Sequence, residues 1–461
     1  CRKSTMRFTF LCVLLVLFME CFAKKELSLG LLISKAGKED LNAYCKEGFY
    51  FEIAANLAIE YVNNQSVIIP THALSLDIRD IRNDRYVTLE KTRQLLRDHF
   101  ERNDTVPMAA IIGTADDDLN ELIQLTALEY TVPQLAFESH STELSRVDIY
   151  PMFSRLSASQ DIVAMSLLKL IEKYRWQRFN IIASDDSNGS NAIEEVRKAI
   201  MRMPTEFQDY ITIGATVRFP SRMSLPLSEA YSSQLLSGLE SIRKSRNRIN
   251  ILFADAIQAG AFLYTAHKEK MTGIGWIYLG TDWNTMQTYA GLSEEFRQPV
   301  KEAMEGMVGI SPFVSSMDHF VEVFRGYLDS HPELQESAKE LCGAPIEIHS
   351  EVFPEYAVFA YDAVTTVAMG IQGVLKERSN VTFATAEERQ LLYNKTMDVN
   401  FYGQSGPISF RPDTGDRLPI KLEIVNIHDG QIVDIGDAVF TDLTHYTFTI
   451  DAVPEWPGGS T

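Results

Sequence analysis

The hydrophobic and polar positions of this chain fall into short apolar runs that alternate with longer amphipathic stretches. Leu27 to Ile33 (LSLGLLI) has the length and composition of a buried strand, and Gly48 to Asn63 repeats apolar residues at Phe51, Ala55, Ala58 and Val62, the period of a helix. Leu74 to Ile81 then predicts a strand, Thr88 to Phe100 a helix, Ala109 to Ile112 a strand, Leu119 to Tyr130 a helix and Gln134 to Phe137 a strand. The rhythm restarts near residue 153, with helices predicted at Asp161 to Tyr174, Asn191 to Met203, Ser228 to Lys244 and Ala256 to His267. Between them lie strands Phe179 to Ser184, Thr212 to Phe219, Ile249 to Phe253 and Trp276 to Leu279. Past residue 300, strand Met307 to Ser311 and helices His319 to Ser330 and Tyr356 to Lys376 precede a strand-and-turn tail, Ile408 to Ile435. Such alternation predicts two α/β lobes, each a parallel sheet with helices on its faces.

Composition agrees with a folded, secreted chain. The 461 residues exceed what one hydrophobic core usually serves, and 45% of them are apolar. Met6 to Ala23 (MRFTFLCVLLVLFMECFA) reads as a secretory signal with Met6 as the expected start, since a basic residue, an apolar stretch and small residues precede Lys24. Sequons at Asn64, Asn103, Asn188, Asn380 and Asn394 are candidate glycan sites on the secretory route. Downstream of the leader no run is long and apolar enough to span a bilayer; Tyr356 to Ile371 carries Asp362 and reads as a buried helix, so any membrane segment is expected beyond residue 461. The formal charge of −19 argues against nucleic acid and anionic membrane surfaces as partners. Cys45 and Cys342 remain after the leader and allow at most one bridge.

Candidate chemistry gathers where strands end. Ser139, Ser141 and Thr142 follow the strand at Gln134 to Phe137, where a loop meets a helix N-terminus, and their hydroxyls suit either a ligand's polar groups or capping. Asp116, Asp117 and Asp118 fit a cationic ligand, a metal ion or a solvated helix start, yet the glycine and glutamate of a calcium loop are missing. Nine histidines form no paired metal spacing, and the nucleophile-elbow, phosphate-loop and CxxC signatures are absent, so neither a cofactor nor a metal is predicted. His140 beside two serines, and the pair Asp185-Asp186, are weak signs of an enzyme, because neighbours seldom have catalytic geometry.

Several segments together carry a resemblance: LAIEYVN at Leu57, Ala110 to Gly113 followed by Pro133-Gln134, SHSTELS at Ser139, YPMFSRLSASQ at Tyr150, Trp176 before FNIIASDD, GTDW at Gly280, FAYDAV at Phe359 and FYGQSGPISFRPDTGDR at Phe401. In order and spacing they resemble the receptor family ligand-binding region, the ectodomain of class C G-protein-coupled receptors (metabotropic glutamate and GABA type B) and of receptor guanylate cyclases. The resemblance implies a two-lobed, type I periplasmic-binding-protein-like flytrap that closes on a small molecule such as an amine, an amino-acid-like compound or a peptide. It assigns residues 1–23 to the leader, 24–152 with about 303–405 to lobe 1, 153–302 with about 406–450 to lobe 2, and 451–461 to a Pro/Gly-rich linker. Hinges are expected at Tyr150, Pro151, Phe153 and Arg155, near residue 303, and at Gly403 to Phe410.

Ligand contacts carried over by position are Ser139, Ser141, Thr142, Asp117 and Asp118 on lobe 1, and Ser184, Asp185, Asp186, Asp282 and Trp283 on lobe 2. The three aspartates stand where amino-acid-binding relatives hold a carboxylate, which they would repel, so an α-amino acid held in the usual way is not expected there and a cationic ligand, a metal ion or a solvated helix start stay open. A glycan on Asn188 would obstruct such a cleft. The family's lobe-1 disulfide lacks its second cysteine here, which leaves Cys45 free or paired with Cys342. Dimerisation through lobe-1 helices is implied as well. Three readings stay open: a receptor ectodomain, a soluble solute-binding protein, and a docking module that binds no ligand.

Overall fold

Residues Leu27, Leu29, Leu31 and Ile33 face one apolar layer while Leu32 faces another, so the first strand is covered on both sides, as its continuous apolar run requires. The structure is a computed structural model that describes residues 24–35, 42–65, 67–102, 106–281, 292–349 and 353–459. The expected leader, Asn103, Asp282 and Trp283 lie outside them. The first lobe opens with β1 (Lys25–Ile33), α1 (Asn42–Asn64), β2 (His72–Asp80), α2 (Arg85–Phe100), β3 (Met108–Ile112), α3 (Asp117–Ala127), β4 (Gln134–Ala136) and β5 (Phe153–Arg155). Its sheet runs β2-β1-β3-β4-β5, every pair parallel.

The second lobe follows with α4 (Gln160–Lys173), β6 (Arg178–Ser184), α5 (Ser187–Arg202), α6 (Thr205–Tyr210), β7 (Thr212–Phe219) and α7 (Glu229–Ser245). It continues through β8 (Ile249–Phe253), α8 (Ala256–Lys268), β9 (Ile277–Thr281), α9 (Glu294–Met304) and β10 (Val308–Pro312). The chain returns to lobe 1 for α10 (Met317–Ser330), α11 (Pro332–Cys342), α12 (Glu355–Glu377), α13 (Ala386–Met397), β11 (Phe401–Gly403) and β12 (Gly406–Ile408). It ends in lobe 2 with β13 (Ile420–His428), β14 (Gln431–Phe440) and β15 (Tyr446–Ile450). The lobe-2 sheet, β15-β14-β13-β10-β9-β8-β6-β7, is parallel from β10 to β7 and antiparallel across β13 to β15. The two-lobed α/β fold is therefore as the sequence predicted, with an antiparallel edge added. Helix α12 is long and apolar enough to cross a membrane by composition, and most of it is buried in lobe 1.

The three passages between lobes share one polar network. Arg155 and Arg417 are fully buried cations. The guanidinium of Arg155 donates to Asp416 Oδ1 (2.7 Å), to the Ser141 carbonyl (2.6 Å) and to Ser145 Oγ. Arg417 donates to Pro407 O, Ser405 O and Ser405 Oγ, and reaches Leu156 O on the first passage. Ser405 Oγ and N, with Gln404 N, in turn donate to the carboxylate of Asp362 in the middle of α12. Ser315, on the second passage, donates to Gln404 O from its amide and its hydroxyl. Burial raises the Asp362 carboxyl against the opposing pull of these donors, and burial lowers Arg417 to about 10. Gly415 has φ +71 and lies so close to the Phe153 carbonyl that a Cβ would come within 2.3 Å of its oxygen, so glycine is required there.

Two expectations need correction. The second passage falls at residues 313–316 and not near 303, because α9 packs into the lobe-2 core through Val300, Ala303 and Met304. Residues 453–459 are not a free linker: Trp456 stands edge-on to Tyr174 (5.2 Å) and Trp176 (5.5 Å), and Glu455 exchanges two hydrogen bonds with the Asn426 side chain. Cys342, on α11, which packs against α1, is disulfide-bonded.

Asp362→Ala should strip Ser405 and Gln404 of their acceptor and leave Arg417 uncompensated, a loss of about 3–5 kcal/mol. Calorimetric unfolding of the variant checks this, and a midpoint equal to wild type would refute the network's role.

Candidate ligand-binding site

At the carboxyl ends of the lobe-1 strands the side chains largely satisfy one another. Asp116 caps α3, its carboxylate accepting from Leu119 N, as expected for an acidic helix start. Asp117, buried, accepts from Ser139 Oγ (2.5 Å) and His140 N (2.8 Å). The Ser139 hydroxyl therefore serves Asp117 and not His140, whose Nδ1 lies 2.8 Å from the Ala158 carbonyl, and no nucleophile and base pair forms. Ser141 is buried and gives its carbonyl to Arg155. Tyr150, Phe153 and Arg155 are buried, with Phe153 and Arg155 inside β5, while Pro151 is exposed.

On lobe 2, Ser184 donates to Asp186, which caps α5 through Gly189 N, and Asp185 accepts from Ser221 N. The pair Asp185-Asp186 is thus the loop-to-helix turn its sequence suggested. Asn188 is exposed in the first turn of α5, and Asn64, Asn380 and Asn394 are exposed too.

Among the described residues, Thr142 and Ser187 each reach across to the other lobe. Thr142 Oγ1 lies 3.0 Å from Glu195 Oε1 and 3.1 Å from Asn191 Oδ1, both on α5, so its single proton is shared between them. Ser187 Oγ donates to Asp118 Oδ1 at 2.7 Å. Glu195 is buried and also accepts from Lys198 Nζ at 2.8 Å. Sequence reading missed Asn191 and Glu195, because only the closed approach of α5 to the Thr142 loop makes them partners.

It also missed a second group of carboxylates between the lobes. Glu47 on α1 is driven up to about 8, first by burial and then by the like charges of Asp255 at the start of α8 and Glu355 at the start of α12. Glu423 on β13 is raised to about 7 by burial and by Asp434, Asp437 and Glu355, against the pull of Lys421. Asp116 is raised to about 6 by burial and by Asp117, Asp118 and Asp186. Acidic groups of both lobes therefore already repel one another. Glu355 of lobe 1 also lines a shallow concavity along β9, β10 and β13, with Gly280, Thr281, Gly309, Ser311 and Val425. The residues expected from the strand ends do not line it. Asp255 was the legible member of the missed group, an acidic residue two positions past the end of β8.

A two-lobed α/β protein joined by three passages has an architecture in which ligands sit at strand ends. Residues 51–430 match the family described as receptor family ligand binding region, and the chain belongs to that family. It is 24% identical to glutamate receptor 3.1 of Oryza sativa subsp. japonica over 404 residues, covering 83% of this chain and 39% of that protein. It is 20% identical to human gamma-aminobutyric acid type B receptor subunit 2 over 400 residues (83% and 38%), and 22% identical to mouse subunit 1 over 430 (88% and 40%). The chain thus spans about two fifths of the length of these relatives.

Replacing Thr142 with valine keeps the volume and removes the hydroxyl shared by Glu195 and Asn191. A hydrogen bond to a charged group contributes about 1.5–3 kcal/mol, so the ratio of closed to open molecules should fall by roughly tenfold or more. Small-angle scattering should show a larger radius of gyration for the variant; an unchanged profile would mean that this contact does not hold the lobes.

Proposed function

We propose that this chain is the extracellular ligand-binding region of a cell-surface receptor, which takes a small amine-bearing ligand between its lobes and signals by lobe closure. The carrying observation is that Glu47 of lobe 1 is raised to about 8 by burial and by the like charges of Asp255 on lobe 2 and Glu355 on lobe 1. A cation between them relieves repulsion only when the lobes approach, and that difference is what shifts a two-state equilibrium. The names of the relatives, glutamate receptors and GABA type B receptors, support a ligand that carries an amino group. The exposed sequons are consistent with passage through the secretory route, and the three passages are the hinges of the closing motion.

A second reading is a docking module without a ligand, favoured by the hydrogen bonds that already engage Ser139 with Asp117 and Thr142 with Glu195. Thermal unfolding against primary amines, amino acids, peptides and amine-free carboxylic acids separates the two. An amine at a hundred times its dissociation constant should add about 2.7 kcal/mol. No shift with any amine, or equal shifts with amine-free acids, would overturn the proposal.

Acidity supplies a further check with a definite sign. Because Glu47 is raised from 4.5 to about 8 in the fold, the folded state binds the extra proton, and its contribution to ligand-free stability falls as pH rises from about 4.5 to 8. Ionised Glu47 is also the form that attracts a cation, so amine affinity should rise between pH 6.5 and 8.5, and Glu47→Gln should flatten that rise. Calorimetric titration at several pH values reads both effects.

A further inference from the structure

At the end of lobe 2 that faces the C-terminal segment, four polar side chains from three stretches of chain meet. Glu305 directly follows α9, His428 ends β13, Asp429 opens the turn to β14, and Glu455 lies in the docked tail. His428 Nδ1 is 3.1 Å from Glu305 Oε1 and 3.1 Å from Glu455 Oε2, while Nε2 is 3.4 Å from Asp429 Oδ2. Ligand atoms of Glu305, His428 and Asp429 all lie within 4.8 Å of one another.

We propose that Glu305 and His428, completed by Glu455 or Asp429, form a divalent metal site of the zinc class that pins the C-terminal segment to lobe 2. The argument rests first on proton count. Two carboxylates converge on one imidazole nitrogen, which has at most one proton to give, so one carboxylate stays underserved unless a cation replaces that proton. It rests second on charge: among the described residues, no lysine or arginine comes within ion-pairing distance of Glu305, Asp429 or Glu455, and the nearby Lys301 lies instead against Gly430. It rests third on spacing. Bonds of about 2.0–2.2 Å put neighbouring ligands of a tetrahedral zinc roughly 3.3–3.6 Å apart, close to the separations present.

The ligand positions are held by backbone. Asp429 N donates to Glu305 Oε1 at 3.0 Å, and Glu455 is fixed by Asn426, which donates to its carbonyl (3.2 Å) and accepts from its amide (2.9 Å). One nitrogen and two or three carboxylate oxygens, with room for water, suit a borderline cation. The histidine spacings of the sequence could not show this, because the ligands sit at 305, 428, 429 and 455.

The test uses the purified, untagged chain stripped with a chelator and dialysed against graded zinc chloride. One zinc per chain should bind, with affinity reduced at least about tenfold by His428→Ala and by Glu305→Gln. Both side chains are partly exposed, so the metal-free variants should unfold at the wild-type temperature, and bound zinc should raise the midpoint of wild type alone. A wild type that binds no zinc, or binding that survives both substitutions unchanged, overturns the site.

Discussion

Two guanidinium groups withdrawn from water hold this molecule's geometry. Burying a cation costs several kcal/mol unless each N–H finds a partner, and Arg155 and Arg417 meet that demand with acceptors from distant parts of the chain. Their acceptors are the backbone and side chains of the passages themselves: Ser141, Ser145 and Asp416 for one, Ser405, Pro407 and Leu156 for the other. Asp362 then couples the Ser405 turn to the interior of α12. A passage that drifts out of place therefore leaves a buried charge unserved, and the lobes can rotate only about connections that stay registered to one another.

From that constraint follows the placing of the chemistry. Because the passages leave the sheets at one end, the loops after the parallel strands of both lobes face a common space, where helix starts carry acidic caps. Caps that stabilise their own helices repel across the gap. Burial first, and then these like charges, raise the carboxyls of Glu47, Glu423 and Asp116, and the hydrogen bonds of Thr142 and Ser187 hold the lobes together against the repulsion.

Much of the fold was legible because local periodicity and burial coincide here. Strands β1, β3 and β8 are apolar runs covered on both faces, and α12 is apolar nearly throughout. Helices α9, α11 and α13 went unread. Pro299 interrupts the first, and in α13 the apolar residues are few, although Thr385 and Glu388 spell a capping box that could have marked it. The boundary of lobe 2 was misplaced for the same reason, since without α9 the return to lobe 1 came too early. The tail was read from its prolines and glycines, whereas Trp456 decides its place by docking on Tyr174 and Trp176.

By itself the sequence determined the alternation of strand and helix, the two lobes, and the strand-end loops where ligand chemistry belongs. Short-range spacing suffices for that, because apolar period and turn residues act over a few positions. Only the tertiary structure decided which polar groups meet: Thr142 with Glu195, Glu47 with Asp255 and Glu355, Arg417 with Ser405, His428 with Glu305 and Glu455. Those pairings depend on how two sheets are set against each other by buried charges far apart in the chain, and no local pattern records that distance.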